Sequence, residues 1–129
     1  MRKQKAKGKR MDKITSVEDL EVFKRAHALT LSIYKISNKF PNEEKFSLVS
    51  QMRRAASSIP TNLMEGSHRS NKGEYRQFAG IARGSAGELK YHLLLAKDLG
   101  YISDGQYETY KGEIDEISKM LSGLVKSLS

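Results

Sequence analysis

The 129-residue sequence contains no cysteine, no tryptophan and only two prolines, Pro41 and Pro60. Without cysteine there is no disulfide framework and no thiolate metal site, so stability has to come from packing. No uninterrupted apolar run approaches the ~20 residues that a membrane-spanning helix needs. The first ten residues are also too polar for the apolar segment of a secretory signal. These absences predict a cytoplasmic protein without a membrane partner. Period-two alternation of β-branched residues is missing as well, which argues against strands. One domain is expected, because a chain of this length fills about one hydrophobic core.

The formal charge is +8, from 23 Lys and Arg against 15 Asp and Glu. Six of the cations, Arg2, Lys3, Lys5, Lys7, Lys9 and Arg10, stand in the first ten residues with no acid among them, which leaves 17 against 15, or +2, for the rest. A segment so charged and so poor in apolar residues cannot offset the ordering cost of folding. Residues 1–15 are therefore expected to form a disordered basic tail, and residues 16–129 the folded domain. Such a tail either meets a polyanion, RNA or DNA, or serves only as a solubilising extension, and salt-dependent binding separates the two.

What the chain does have is helical periodicity, four times over. The first predicted helix covers about residues 18–40, with Ser16 as its cap and Pro41 closing it, since proline disfavours helix in the residue before it. Val22, Ala26, Leu29, Ile33, Ile36 and Phe40 recur in steps of four and three, the spacing of a bundle seam. A second shoulder of Phe23, His27, Thr30 and Tyr34, with Leu20 and Leu31 beyond it, gives this helix more apolar arc than one core requires. The second helix should begin near Glu43 or Glu44 and stop at Gly66, read as a left-handed C-cap. Leu48, Met52, Ala55, Ala56, Ile59 and Leu63 form its inner face. Pro60 predicts a kink near Ser57, with Ser57 or Ser58 meeting the freed carbonyl.

Residues 67–72 read as a polar loop. The third helix should start near Lys72, capped by Ser70 or Asn71, and end at Gly100, turning Tyr75, Phe78, Ala79, Ala82, Ala86, Leu89, Leu93 and Ala96 inward. Gly80, Gly84 and Gly87 lie beside that face. Each costs about 1 kcal/mol against alanine in a helix, so the three predict the close approach of another backbone. The fourth helix opens with a capping box, Ser103 and Gln106, and continues as Tyr107, Tyr110, Ile114, Ile117, Leu121, Leu124 and Leu128. Short connections force neighbours to run antiparallel, so the expected fold class is all-α, an up-down-up-down four-helix bundle.

Residues able to do chemistry are sparse. Glu65 and His68 have the Glu-x-x-His spacing of di-iron bundles but lack a second copy. Glu88 and His92, one turn apart, read as a helix-surface hydrogen bond, and His27 as packing. No serine has a histidine and an acid at a recognised spacing, and no glycine-rich phosphate loop follows a strand. The expectation is a protein that is not an enzyme, with no cofactor and no metal. More informative is a polar cluster: Arg53 and Arg54, with Asn62 and Glu65 further along the same helix and Glu88 on the next. Buried polar groups need partners, so one reading is a structural ion-pair network within or between subunits. The other makes Arg53 and Arg54 part of an anion-binding surface with Arg69, Lys72, Arg76 and Arg83. With Tyr75 and Phe78 looking inward, base stacking on single strands has little support.

Several blocks carry a family likeness: Gln51-Met52-Arg53-Arg54-Ala55-Ala56, Ser58-Ile59-Pro60-x-Asn62, Glu65-Gly66 and Ala82-x-Gly84-Ser85-x-x-Glu88-Leu89. In these, and over most of the chain from Val17 onward, the sequence resembles the bacterial four-helix-bundle proteins encoded within intervening sequences of 23S ribosomal RNA genes, also labelled ribosomal protein S23-like. The resemblance implies a left-handed up-down bundle assembling into a ring-shaped homopentamer. It also implies kinship with accessory proteins of diversity-generating retroelements, which bind a reverse transcriptase and nucleic acid. A ring suits the spare shoulder of the first helix and the small face of the third, which makes Phe23, Leu31, Tyr34, Gly80, Gly84 and Gly87 the interface candidates. The function expected is an oligomeric, RNA-associated scaffold, with the tail and the arginine strip meeting phosphates. The alternative is an adaptor that recruits an enzyme such as a reverse transcriptase without touching nucleic acid.

Overall fold

The computed structural model describes residues 16–129, so the predicted tail with Arg2, Lys3, Lys5, Lys7, Lys9 and Arg10 lies outside the described residues. Within them the chain forms four α-helices and no strand: α1 (Glu21–Ser37), α2 (Leu48–Ser67), α3 (Lys72–Asp98) and α4 (Asp104–Ser127). Their apolar stripes converge on one core, in which Ile33, Met52, Ile59, Leu63, Leu89, Leu93, Ile114, Ile117 and Leu121 are fully buried. Each such side chain contributes roughly 1.5–3 kcal/mol on leaving water. α2 packs on both α1 and α3, α3 packs on α4, and α1 closes against α4, whereas the backbones of α1 and α3 are not neighbours. Arg25 of α1 grips Glu113 of α4 with two hydrogen bonds, 3.0 and 2.9 Å long, across the thinner of these contacts.

The helix boundaries depart from the sequence expectation where short 3-10 turns intervene. Ser16 does cap a helical turn, its Oγ accepting from the Glu18 amide at 3.2 Å, but that turn is the 3-10 segment Val17–Asp19. Leu20 is then extended, and α1 starts at Glu21 without a side-chain cap. α1 ends at Ser37, three residues short of Phe40, which folds under the bundle end and packs on Tyr101 with ring centroids 5.2 Å apart. A second 3-10 turn, Asn42–Glu44, occupies the expected start of the second helix, so α2 begins at Leu48. Asn71 and Ser103 cap α3 and α4, the latter with the full capping box to Gln106. The left-handed residue is Gly100, with φ of 84°, just after α3.

Two features of α2 hold the arrangement together. α2 runs unbroken through Pro60. Lacking an N–H, Pro60 leaves the Ala56 carbonyl without its helical donor. The partner comes from α1 and not from Ser57 or Ser58: Thr30 Oγ1 lies 3.1 Å from Ala56 O and 2.8 Å from Ala26 O, sharing one proton between two carbonyls. Gly66, expected to cap α2, lies inside it. A Cβ there would fall 2.8 Å from Phe78 Cβ and 2.9 Å from Tyr75 Cδ1, so its role is to let α3 approach. By contrast, a Cβ at Gly80, Gly84 or Gly87 would meet nothing within 4 Å, so no backbone among the described residues makes the close approach expected there.

These contacts set three measurable expectations in urea or thermal denaturation. Gly66→Ala should destabilise by about 1–3 kcal/mol, because Phe78 Cβ is tied to its backbone and cannot swing away. Thr30→Val, nearly isosteric, should cost about 1–3 kcal/mol by leaving the Ala56 carbonyl bare. Glu44 accepts from Ser47 Oγ at 2.6 Å and from Tyr101 Oη at 2.8 Å. These bonds, the serine's first, hold its carboxyl below the usual carboxylate value of 4.5. A lowered folded-state value means that its stabilisation is full at neutral pH and fades as pH falls below about 4.5. Glu44→Gln should therefore lose less stability than the parent protein on acidification; parallel pH profiles would refute the assignment.

Candidate interaction surfaces

Arg53 and Arg54 are neighbours in sequence but point to different helices. Arg53 closes the C-terminus of α1: Nε donates to Ser37 Oγ at 2.9 Å, and Nη2 donates to Asn38 Oδ1 at 2.9 Å and to Tyr34 O at 3.1 Å. Its guanidinium also stacks 4.6 Å above the Tyr34 ring. A cation with donors at a helix C-terminus answers both the free carbonyls and the negative end of the dipole. Arg54 is exposed and shares a shallow depression between α2 and α3 with Ser57, Ser58, Thr61 and Glu88.

The other members of the predicted polar cluster enter separate arrangements. Asn62 donates to Ser58 O at 2.8 Å and to Ser58 Oγ at 2.9 Å, and Ser58 Oγ meets Ser85 Oγ of α3 at 2.8 Å. Glu65 pairs with Arg69 at 3.0 Å, and the Arg69 guanidinium lies 4.8 Å above the Phe78 ring. Glu88 lies 3.4 Å from His92 Nε2. His92 is buried, contrary to the surface position expected for it, and its Nδ1 has no hydrogen-bond partner. His68 turns its Nδ1 to Met64 O at 2.9 Å while Glu65 serves Arg69, so the Glu-x-x-His pair is spent on local contacts. Among the described residues no three His, Asp or Glu side chains are grouped to hold a metal ion, and no helix is long and apolar enough to cross a membrane.

The remaining cations of the predicted anion surface stand elsewhere again. Lys72 is exposed at the start of α3. Arg76 and Arg83 face α4, where Arg76 Nη1 donates to Leu128 O at 3.0 Å and Arg83 Nη1 to Ser122 Oγ at 3.3 Å. The structure thus spreads the strip over three helix–helix boundaries: α1–α2 for Arg53, α2–α3 for Arg54 and α3–α4 for Arg76 and Arg83.

Of the interface candidates, Leu31 and Tyr34 are 58% and 44% exposed on α1, while Phe23 is half-buried and stacks on an exposed His27. Gly84 and Gly87 are exposed on α3 and Gly80 is half-buried. Sequence reading missed Ile81 and Tyr91, 53% and 58% exposed on the same side of α3. Their signal is the row Gly80, Gly84, Gly87 and Tyr91, with Ile81 beside Gly84, small or apolar positions on the face opposite the core. It also missed Phe46, at 89% the most exposed large apolar side chain among the described residues, in the connection before α2. Between α1 and α2 an open groove is lined by Phe23, Thr30, Pro60 and Met64, with His27 and the Glu65–Arg69 pair at its rim.

Comparison with known proteins places this arrangement. Among solved structures, the crystal structure of a protein of unknown function from the S23 ribosomal protein family of Bacteroides thetaiotaomicron is similar, with a TM-score of 0.73 at 26% identity. The similarity covers 81% of this chain and 98% of that one. None of the curated proteins matches the chain. Residues 18–123 match the family model described as 23S rRNA-intervening sequence protein, a span that takes in all but the last turn of the helical body. The chain belongs to the 23S rRNA-intervening sequence protein family.

Proposed function

We propose that this protein is a non-enzymatic, RNA-associated scaffold of the cytoplasm, in which several copies of a left-handed up-down-up-down bundle join head to tail into a ring, a pentamer being the assembly expected. The observation that carries the reading is the pair of unfilled faces on helices whose backbones are not neighbours. α1 presents Leu31 and Tyr34, and α3 presents Ile81 and Tyr91 around glycines whose missing side chains serve no contact among the described residues. Each helical glycine costs about 1 kcal/mol, which a second copy's helix laid against α3 would offset. Because the two faces differ, the contact is heterologous, and such contacts close into rings when the rotation permits. The RNA association is supported by the formal charge of +8 and by the family's link to 23S rRNA genes.

A second reading, a protein-binding adaptor for an enzyme such as a reverse transcriptase, is favoured by the α1–α2 groove. Deleting residues 1–13 separates the two, since an adaptor keeps its partner and a tail-driven RNA binder loses affinity.

Two measurements test the scaffold. Sedimentation at micromolar concentration should show an oligomer, and Gly84→Glu should give a monomer that melts no lower than an unassembled parent, because none of the described residues occupies the space a side chain enters there. A wild-type monomer would remove the ring. Binding of structured RNA should weaken steeply between two salt concentrations, and no binding at low salt would remove the RNA role.

A further inference from the structure

The cations of the described body are not scattered evenly. On α3, Lys72, Arg76, Arg83 and Lys90 recur at spacings of four and seven, which at 100° per residue puts them in a row about 40° wide. That row borders α4. Lys90 Nζ meets Asp115 at 2.6 Å, Arg83 reaches Ser122 and Arg76 reaches the Leu128 carbonyl, so the row follows the seam between the two helices from one end to the other. On the α4 side, Asp115, Lys119, Ser122 and Lys126 recur in steps of four and three, which sets Lys119 and Lys126 on either side of the serine that Arg83 touches.

Beyond the Lys90–Asp115 ion pair, toward Leu128, the seam is lined by Arg83, Lys119, Arg76, Lys126 and Lys72. Among the described residues the acid within 4 Å of these lysines is Glu116, 3.9 Å from a Lys119 side chain that is 79% exposed, a pair too solvated to neutralise it. Arg76 and Arg83 each spend one N–H on α4 and keep the rest of their five donors. They are therefore oriented by the protein and still free to bind. Gly80 and Gly87 fall beside them with open space above, so a bulky chain can lie against the helix between the guanidinium groups.

A second, independent observation points to the same end of the molecule. Ser16, where the described chain begins, lines a depression with Ser67, Tyr75 and Leu124. The described chain thus begins at the end of the bundle where Arg76 meets Leu128, and the first ten residues of the sequence before it carry six cations and no acid.

The geometry points to the α3–α4 seam as a track for the sugar-phosphate backbone of a helical RNA. This rests on the RNA-associated reading above and gives it a site, one that leaves out Arg53 and Arg69, whose guanidinium groups are engaged within the bundle. Arg76 and Arg83, seven residues apart, are about 10 Å apart along the helix axis, so they address separate phosphates. Neither row offers an aromatic side chain, and unpaired bases need such a platform to stack on. A duplex read through its shape and phosphates does not.

The test is fluorescence anisotropy of a labelled RNA hairpin over a salt series, using the full chain. One variant removes the seam charges (Arg83→Gln, Lys119→Gln, Lys126→Gln). A control removes as many from exposed positions of the α1 side (Lys24→Gln, Lys35→Gln, Lys39→Gln). Both are checked for parental melting, and Lys119→Gln alone stands in should the triple variant melt early. The seam variant should flatten the slope of log affinity against log salt by about 2–3, at ~0.9 per phosphate contact, and the single variant by about 1. The control should leave the slope nearly unchanged. Equal slopes for seam and control variants overturn the track while leaving RNA association intact, whereas an absence of binding by the parent protein overturns both. A single-stranded RNA that competes as well as the hairpin overturns the assignment to helical RNA.

Discussion

The bundle depends on how closely α2 and α3 can approach. Small residues line their boundary: Ala55 and Ser58 of α2, Ser85 of α3, and Gly66, whose missing Cβ makes room for Phe78 and Tyr75. Small residues bring backbones together and leave little room for error, because a well-packed interior resists even one added methyl group. With that pair fixed, the Ser58–Ser85 hydroxyl contact falls within bonding distance and Asn62 completes it from the same turn. α1 and α4 then close over the pair with larger side chains, Leu29 and Ile33 from one, Ile114, Ile117 and Leu121 from the other. The close approach of α2 and α3 also turns the remaining face of α3 outward, and the glycines and cations of that face are the ones left for partners.

The apolar stripes were legible because a helix repeats its inward face every three or four residues, and nothing else in a soluble chain produces that pattern over so many turns. α4 reads directly, from its capping box to Leu121. What the sequence concealed was set by contacts distant along the chain. Gly66 looks like a cap by type and position, yet Phe78 and Tyr75 decide its use. Arg53 looks like one half of an anion site, yet Ser37, Asn38 and the Tyr34 ring occupy it. The starts of α1 and α2 were displaced by 3-10 turns, which share the local residue preferences of an α-helix start and differ only in how the next turn packs.

Charge in this protein has two uses that composition merges. Some groups are structural, namely Arg25 on Glu113, Arg53 on the end of α1, and Arg69 between Glu65 and Phe78. Others are oriented by the fold and left open. Residues 104–116 of α4 carry Asp104, Glu108, Glu113, Asp115 and Glu116 against Lys111, while residues 117–127 carry Lys119 and Lys126 and no acid. This asymmetry complements the helix's own dipole only in part, since the favourable effect fades beyond the terminal turns. A nearly balanced body thus has one strongly cationic edge.

The hydroxyl shared between two carbonyls at the α1–α2 boundary makes residues 30 and 60 one inherited unit. Thr30 is needed because Pro60 cannot donate; were residue 60 to regain an amide hydrogen, Ala56 would recover its own helical bond and position 30 would be released to any side chain of similar bulk. The reverse path, proline arriving before the threonine, passes through an ancestor with an unanswered carbonyl in its interior. Relatives that lack the proline are thus the ones free to vary at the threonine, and the order in which the two were acquired is constrained by chemistry as much as by chance.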